Sequence, residues 1–204
     1  MKKTVFVFAY IFAFGFISLN AQVKTNWGIK AEMNASNFLF DKVPGMKSNF
    51  GLGAGLGAFS RIDLGENFAL QPELMFHWQN STLKQNGFKS DFQYWGMEIP
   101  LYAIGYIIFD NKTRIYIGLG PYWRLGFSAQ NRTEKINLYK GDKTTDAFMQ
   151  RGDIGAGVIL GVELPFGMQI NASYKYGFLN ILNTPSNNSV MSSQVISFGL
   201  GARF

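Results

Sequence analysis

From Trp27 to the end of the chain, apolar residues recur at every second position. Successive side chains of a β-strand point to opposite faces, so a period of two predicts strands with one oily and one polar side. The last eight residues, SFGLGARF, show it plainly: Phe198, Leu200, Ala202 and Phe204 share one face, and Ser197, Gly199, Gly201 and Arg203 share the other. Runs of this kind lie near 27–38, 50–63, 68–82, 92–109, 113–128, 151–164, 168–177 and 194–204. They predict eight strands, with no helical periodicity once the first twenty or so residues are past.

All eight runs sort into the same two faces. The apolar face carries Trp27, Ile29, Ala31 and Met33 in the first run, Leu70, Pro72, Leu74, Phe76 and Trp78 in the third, and Ile154, Ala156, Val158 and Leu160 in the sixth; no formal charge falls on it. The opposite face holds five basic residues (Lys30, Arg61, Arg124, Lys175, Arg203) and six acidic ones (Glu32, Asp63, Glu73, Glu98, Asp153, Glu163). Alternation alone fits a soluble sandwich or lipocalin-like barrel as well as a membrane barrel. Three further features favour the membrane barrel. The polar face is rich in glycine (Gly51, Gly53, Gly55, Gly57, Gly118, Gly155, Gly157, Gly161, Gly199 and others), as a narrow interior shared with large neighbours requires. Aromatic residues gather at strand ends: Trp27, Phe68, Phe109, Phe166 and Phe204 at one rim, Phe76, Trp78, Trp95, Trp123, Phe127, Tyr174 and Tyr176 at the other. Tight turns at 64–67, 110–112 and 165–167 alternate with longer connections near 39–49, 83–91, 129–150 and 178–193.

The expected architecture is therefore all-β: an eight-stranded, antiparallel, up-and-down transmembrane β-barrel with both termini at the short-turn, periplasmic end. The last strand must pair with the first, since unpaired backbone groups in lipid cost several kcal/mol each. That pairing sets Phe204 beside Trp27. The 92–109 run is much longer than the ~9–11 residues needed to cross, so it and the following strand are expected to project beyond the bilayer.

Composition agrees with this. Aromatics make up 16% of the 204 residues, with 20 Phe and 9 Tyr, while only 16% are charged against a norm of roughly 25%. The absence of cysteine excludes a disulfide framework, a thiolate metal site and a cysteine nucleophile. A single histidine excludes a multi-histidine metal site within one chain; no metal or cofactor is expected. The first residues, MKKTVFVFAYIFAFGFISLNAQ, combine Lys2 and Lys3, an apolar run from Val5 to Leu19 and a small residue at Ala21. They read as a helical signal peptide (1–21), cleaved to leave a barrel domain (22–204); the run is short of the ~20 residues of a spanning helix. Gln22 is not the cysteine of a lipoprotein signal. Losing two lysines lowers the net charge from +6 to +4, too mild to imply nucleic acid.

Candidate chemistry is sparse. Glu73 and Glu98 both point inward and would be the natural acid–base pair. The near balance of inward charges reads instead as mutual pairing of Lys30, Glu32, Arg61, Glu73, Glu98, Arg124, Asp153, Glu163, Lys175 and Arg203 in a narrow lumen. His77 also has inward phase, away from lipid, and only Ser81 lies near it in sequence; no spacing indicates a nucleophile, base and orienting group. GLGAGLG at 51–57 lacks the Lys-Ser/Thr and following helix of a phosphate loop. In the longest connection Arg132, Lys135, Lys140 and Lys143 are candidates for contact with lipopolysaccharide phosphates. The uncharged stretch FLNILNTPSNNSVMSS at 178–193 is a candidate partner-contacting surface.

The motifs WGIKAEMNASNF (27–38), FALQPELMF (68–76), MEIPLYAIGY (97–106), IYIGLGPYWRLGFSA (115–129), YKYGFLNI (174–181) and VISFGLGARF (195–204) resemble the eight-stranded outer-membrane β-barrel family of Gram-negative bacteria known as PorT-like or outer membrane protein β-barrel domain proteins. The resemblance covers nearly the whole chain after the leader. It implies integral outer-membrane location and a terminal aromatic, here Phe204, read by the barrel-insertion machinery. It also implies a possible envelope or secretion partner, since some members are linked to a secretion system, and no defined activity for most members. The expected protein is non-catalytic, with a side-chain-filled lumen, acting through its outer loops or as an assembly component. The alternatives are a narrow porin-like channel and a lipid-modifying barrel enzyme.

Overall fold

The computed structural model describes residues 24–41, 45–85, 88–133, 136–140, 149–182 and 189–204. The strands are β1 (Lys24–Asp41), β2 (Met46–Asp63), β3 (Phe68–Gln85), β4 (Phe88–Ile108), β5 (Arg114–Asn131), a two-residue β6 (Ile136–Asn137), β7 (Gly152–Glu163), β8 (Met168–Gly177) and β9 (Val190–Arg203). No helix occurs among the described residues. Each long strand pairs antiparallel with the next long strand, and β9 returns to β1. The eight long strands therefore form a closed ring without a free edge, while β6 only extends the end of β5.

Closure runs from Gly28 opposite Arg203 to Asp41 opposite Val190. It continues one residue further, where the Phe204 amide donates to the Trp27 carbonyl at 2.7 Å. At the short-turn end, Gly167 takes a φ of 89°, the left-handed backbone that suits glycine in a tight turn. Trp27, Phe68, Phe109, Phe166 and Phe204 are exposed around this rim.

The other end departs from the expected loops. β1 extends to Asp41 and β2 begins at Met46, so most of 39–49 is strand. β3 and β4 stay paired until Gln85 meets Phe88, so most of 83–91 is strand as well. Projection is accordingly not confined to two strands: β1 to β5 have 18 to 21 residues each, whereas β7 and β8 have 12 and 10.

The reason is an inversion of polarity along continuous strands. On β4, the outward positions Met97, Ile99, Leu101 and Ala103 are apolar up to Trp95, and beyond it they become Gln93, Asp91 and Lys89. On β3 the outward Leu70, Pro72, Leu74 and Phe76 lead to Trp78, then to Asn80, Thr82 and Lys84. The Trp78 and Trp95 rings lie 6.2 Å apart on neighbouring strands. The outward apolar run from Phe68 to Trp78 matches the ~9–11 residues of a membrane-crossing strand. Above it the inward positions turn apolar, with Phe92, Tyr94 and Met191 buried together. Register shifts accompany the change, between Phe50 and Ala54 on β2 and at Phe127 on β5, which is left unpaired where Trp95 faces Ser128 and Gly96 faces Gly126. An extra residue moves the side chains beyond it to the other face, so the period of two changes phase on β2 and β5 while it runs through to the tip on β3 and β4.

Candidate functional site

Inward side chains of β1 to β5 and β7 to β9 fill the ring with one connected polar network. At the short-turn end, Arg61 of β2 reaches across to Glu163 of β7. Glu163 also accepts hydrogen bonds from Arg203 at 2.7 Å and Gln169 at 2.9 Å. Arg61 Nε donates to Gln71 at 2.8 Å, and Gln71 donates onward to Glu73 at 2.6 Å. Glu73 is paired with Lys30 at 2.9 Å, and Lys30 lies 3.5 Å from Glu32.

His77 stands at the middle of the lumen. Its Nδ1 is 3.6 Å from Glu32 and its Nε2 is 3.7 Å from Glu98. Glu98 gathers two cations: Arg124 donates to it through Nε at 3.0 Å and Nη2 at 2.5 Å, and Lys175 through Nζ at 2.5 Å. Arg124 lies 3.9 Å from Asp153, which accepts from Ser193 at 2.5 Å and Tyr122 at 3.1 Å.

Of the ten inward charges expected to pair, nine are buried; only the Arg203 side chain, 17% exposed at the rim, is not. Asp63 sits apart at the same rim, with Asn26 donating to it at 3.4 Å. Removing such charges from water is expensive unless each has close partners; the interior supplies them from several strands at once, except that neither oxygen of Glu32 has a hydrogen-bond partner. Aromatic rings supply more. The Arg61 guanidinium lies over the rings of Tyr116, Tyr106 and Phe59 at 5.0, 5.4 and 5.8 Å, and Arg124 lies over Tyr122 at 5.1 Å. Glycine makes the room: a Cβ on Gly161 would strike the Tyr116 ring, and one on Gly155 would meet Tyr122.

A second, apolar layer lies above the charges. Phe92, Tyr94, Ala129, Tyr139, Met149, Ile181, Leu182 and Met191 form a buried cluster. Backbone hydrogen bonds stitch its segments across the opening: Leu138 to Ala129, Met149 to Leu138, Gln150 to Ile181 and Ile181 to Met191, at 2.8 to 3.0 Å. Burial pushes the Tyr139 hydroxyl up to about 12, partly offset by Arg124 and Arg151. Beneath this cluster a cavity of about 30 Å³ lies against Arg124, Asp153 and Ser193.

Glu73 and Glu98 do not form a pair, since each is bound to its own cations. Neither ring nitrogen of His77 has a hydrogen-bond partner, and neither does the Ser81 hydroxyl. No nucleophile–base contact is therefore assembled there. GLGAGLG lies within β2, where a Cβ on Gly55 would come within 2.8 Å of His77. Arg132 and Lys140 are exposed; Lys135, Lys143 and the leader at 1–21 fall outside the described residues. Sequence reading missed the neutral connectors Gln71, Gln169 and Ser193. Their inward parity was the available signal.

Residues 20–183 match the family model described as outer membrane protein beta-barrel domain. The chain belongs to that family. It is thus an integral outer-membrane barrel, and the apolar ring face is its lipid-facing surface. Solved barrels agree in fold. OprG of Pseudomonas aeruginosa superposes with a TM-score of 0.55 at 16% identity, covering 92% of this chain and 99% of its own. Neisserial surface protein A superposes with a TM-score of 0.52 at 14% identity, covering 89% and 99%. No curated protein sequence matches the chain.

Proposed function

We propose that this outer-membrane barrel is closed by its own side chains, is non-catalytic, and works at its outer end, through the projecting strands and loops or as a component of an envelope assembly. The observation that carries this reading is a lumen filled by two polar clusters, one of Arg203, Glu163, Arg61, Gln71, Glu73 and Lys30 and one of Lys175, Glu98, Arg124 and Asp153, with Glu32 and His77 packed between them at 3.5 to 3.7 Å from their charged neighbours. An interior of eight strands is just wide enough for side chains to fill, and the apolar mouth adds a second closure. In this reading both termini lie in the periplasm, and Phe204 is presented to the insertion machinery. Arg132 and Lys140 meet lipopolysaccharide.

One observation favours a narrow channel instead. Asn34, Ser197 and Ser173 stand opposite one another on β1, β9 and β8, and their side chains carry buried polar atoms with no partner. Such atoms are ordinarily satisfied by water. A liposome-swelling assay separates the two readings. The closed barrel predicts no more swelling in small sugars or amino acids than protein-free liposomes show. Rapid swelling would establish the channel.

A further inference from the structure

The projecting tip carries a charge arrangement that the lumen network does not explain. Register places Lys47 of β2 opposite Lys84 of β3, and Lys84 opposite Lys89 of β4. The three lysines thus form one row across three adjacent strands. All three belong to the outward face, which Asn49, Thr82 and Asp91 continue two residues nearer the membrane. Lys47 and Lys89 are exposed and Lys84 is half-exposed. Among the described residues, none of the three has a carboxylate within ion-pair distance. The nearest acid on this face, Asp91, accepts from Thr82 at 3.2 Å. Asp41 ends the neighbouring β1 and is itself exposed.

Like charges directly opposite on paired strands are destabilising. Exposed sheet edges and tips commonly use one lysine as protection, but three in register exceed that need and concentrate positive potential on one small area. The row stands six residues beyond Trp78, roughly 20 Å along the strand. With barrel strands tilted by roughly 35–45°, that run rises about 15 Å above the lipid boundary, into the saccharide layer of the outer leaflet.

We propose that Lys47, Lys84 and Lys89 form a docking surface for the phosphate-bearing saccharide of the lipopolysaccharide that surrounds the barrel. The anion neutralises the lysine row and braces the tip of the β2–β3–β4 sheet against the leaflet. This inference rests on the reading that the protein works at its outer end, and it assigns to that end a ligand class and a row of strand residues bordered at the end of β5 by Arg132, whose amide donates to the Asp91 carbonyl at 2.7 Å.

The test is a binding titration of the full mature protein in detergent micelles with lipopolysaccharide carrying a phosphorylated core. The same titration is run with dephosphorylated lipopolysaccharide and with heparin. Each basic side chain near an anionic surface contributes about fivefold. The K47Q/K84Q/K89Q variant is therefore expected to bind on the order of 100-fold more weakly, with a shallower salt dependence, whereas K47R/K84R/K89R should keep the wild-type affinity. Heat-modified gel migration verifies that each variant is folded. Equal binding by wild type and the glutamine variant would overturn the proposal. So would equal binding of dephosphorylated lipopolysaccharide, or tight binding of heparin with none of lipopolysaccharide. The titration does not depend on conductance: an open pore that still binds through these lysines would refute the closed lumen alone.

Discussion

Glu98 shows how a single residue is held and what it holds. Its carboxylate gathers Arg124 from β5 and Lys175 from β8 and faces His77 from β3. Replacing it with glutamine keeps the shape but strands two buried cations. Breaking a buried ion pair from one side costs about 3–5 kcal/mol. Glu98→Gln is expected to lower unfolding stability in micelles by that amount, and Glu66→Gln, in an exposed turn, by less than about 0.5 kcal/mol. Equal small losses would mean that the network carries little energy. Gly161 tests the packing side. A valine there drives a branched side chain toward Tyr116, and overpacking costs about 1–3 kcal/mol; combining Gly161→Val with Tyr116→Ala should recover part of the loss if the cause is local crowding. Tyr139 gives a pH signature. Its folded-state value near 12 stands above its ordinary 10, so the unfolded form ionises first. Its contribution to the mouth is intact below pH 10 and is lost as pH rises toward 12. Near-UV dichroism of the mouth should fall in that window, and Tyr139→Phe should remove the component.

At the scale of elements, the membrane-crossing parts of the strands were legible and their outer ends were not. Between Phe68 and Trp78, or between Trp95 and Ile107, lipid demands an apolar outward side and the lumen a polar inward one, so the period of two shows directly in the residues. Beyond Trp78 and Trp95 water lies outside, and the strands turn Phe92 and Tyr94 inward while Thr82, Lys84 and Lys89 face out. Polar outward positions next to register shifts look like loop when read with the membrane rule, which is why 39–49 and 83–91 were expected to be irregular. Parity likewise assigned each charge to the lumen but not to a partner: Arg61 and Glu163 are 102 residues apart in sequence, and only the register brings them together. Because the chain has no cysteine, the inversion can be mapped cleanly. Lys89→Cys should react on intact cells with a membrane-impermeant maleimide. Ile99→Cys should not. Equal labelling of both would remove the boundary at Trp95.

For the whole molecule, polarity is arranged in layers along the barrel: an apolar ring facing lipid, a charged core inside it, and an apolar cap over that core where the strands leave the membrane. The closed ring needs no partner to satisfy its edges, since β9 pairs with β1 up to Phe204. The charged core gives eight strands a dense, specific interior where small residues and rings alternate, and the apolar cluster lies above it where the strands leave the membrane. The central claim is that these layers leave no ion path. Single-channel recording of residues 22–204 in a planar bilayer tests it most directly. The account predicts a silent or barely flickering barrel, with longer openings once Glu98→Gln loosens the core. Steady open conductance from the unmodified protein would contradict it and make Glu73, Glu98 and Arg124 the lining of a pore.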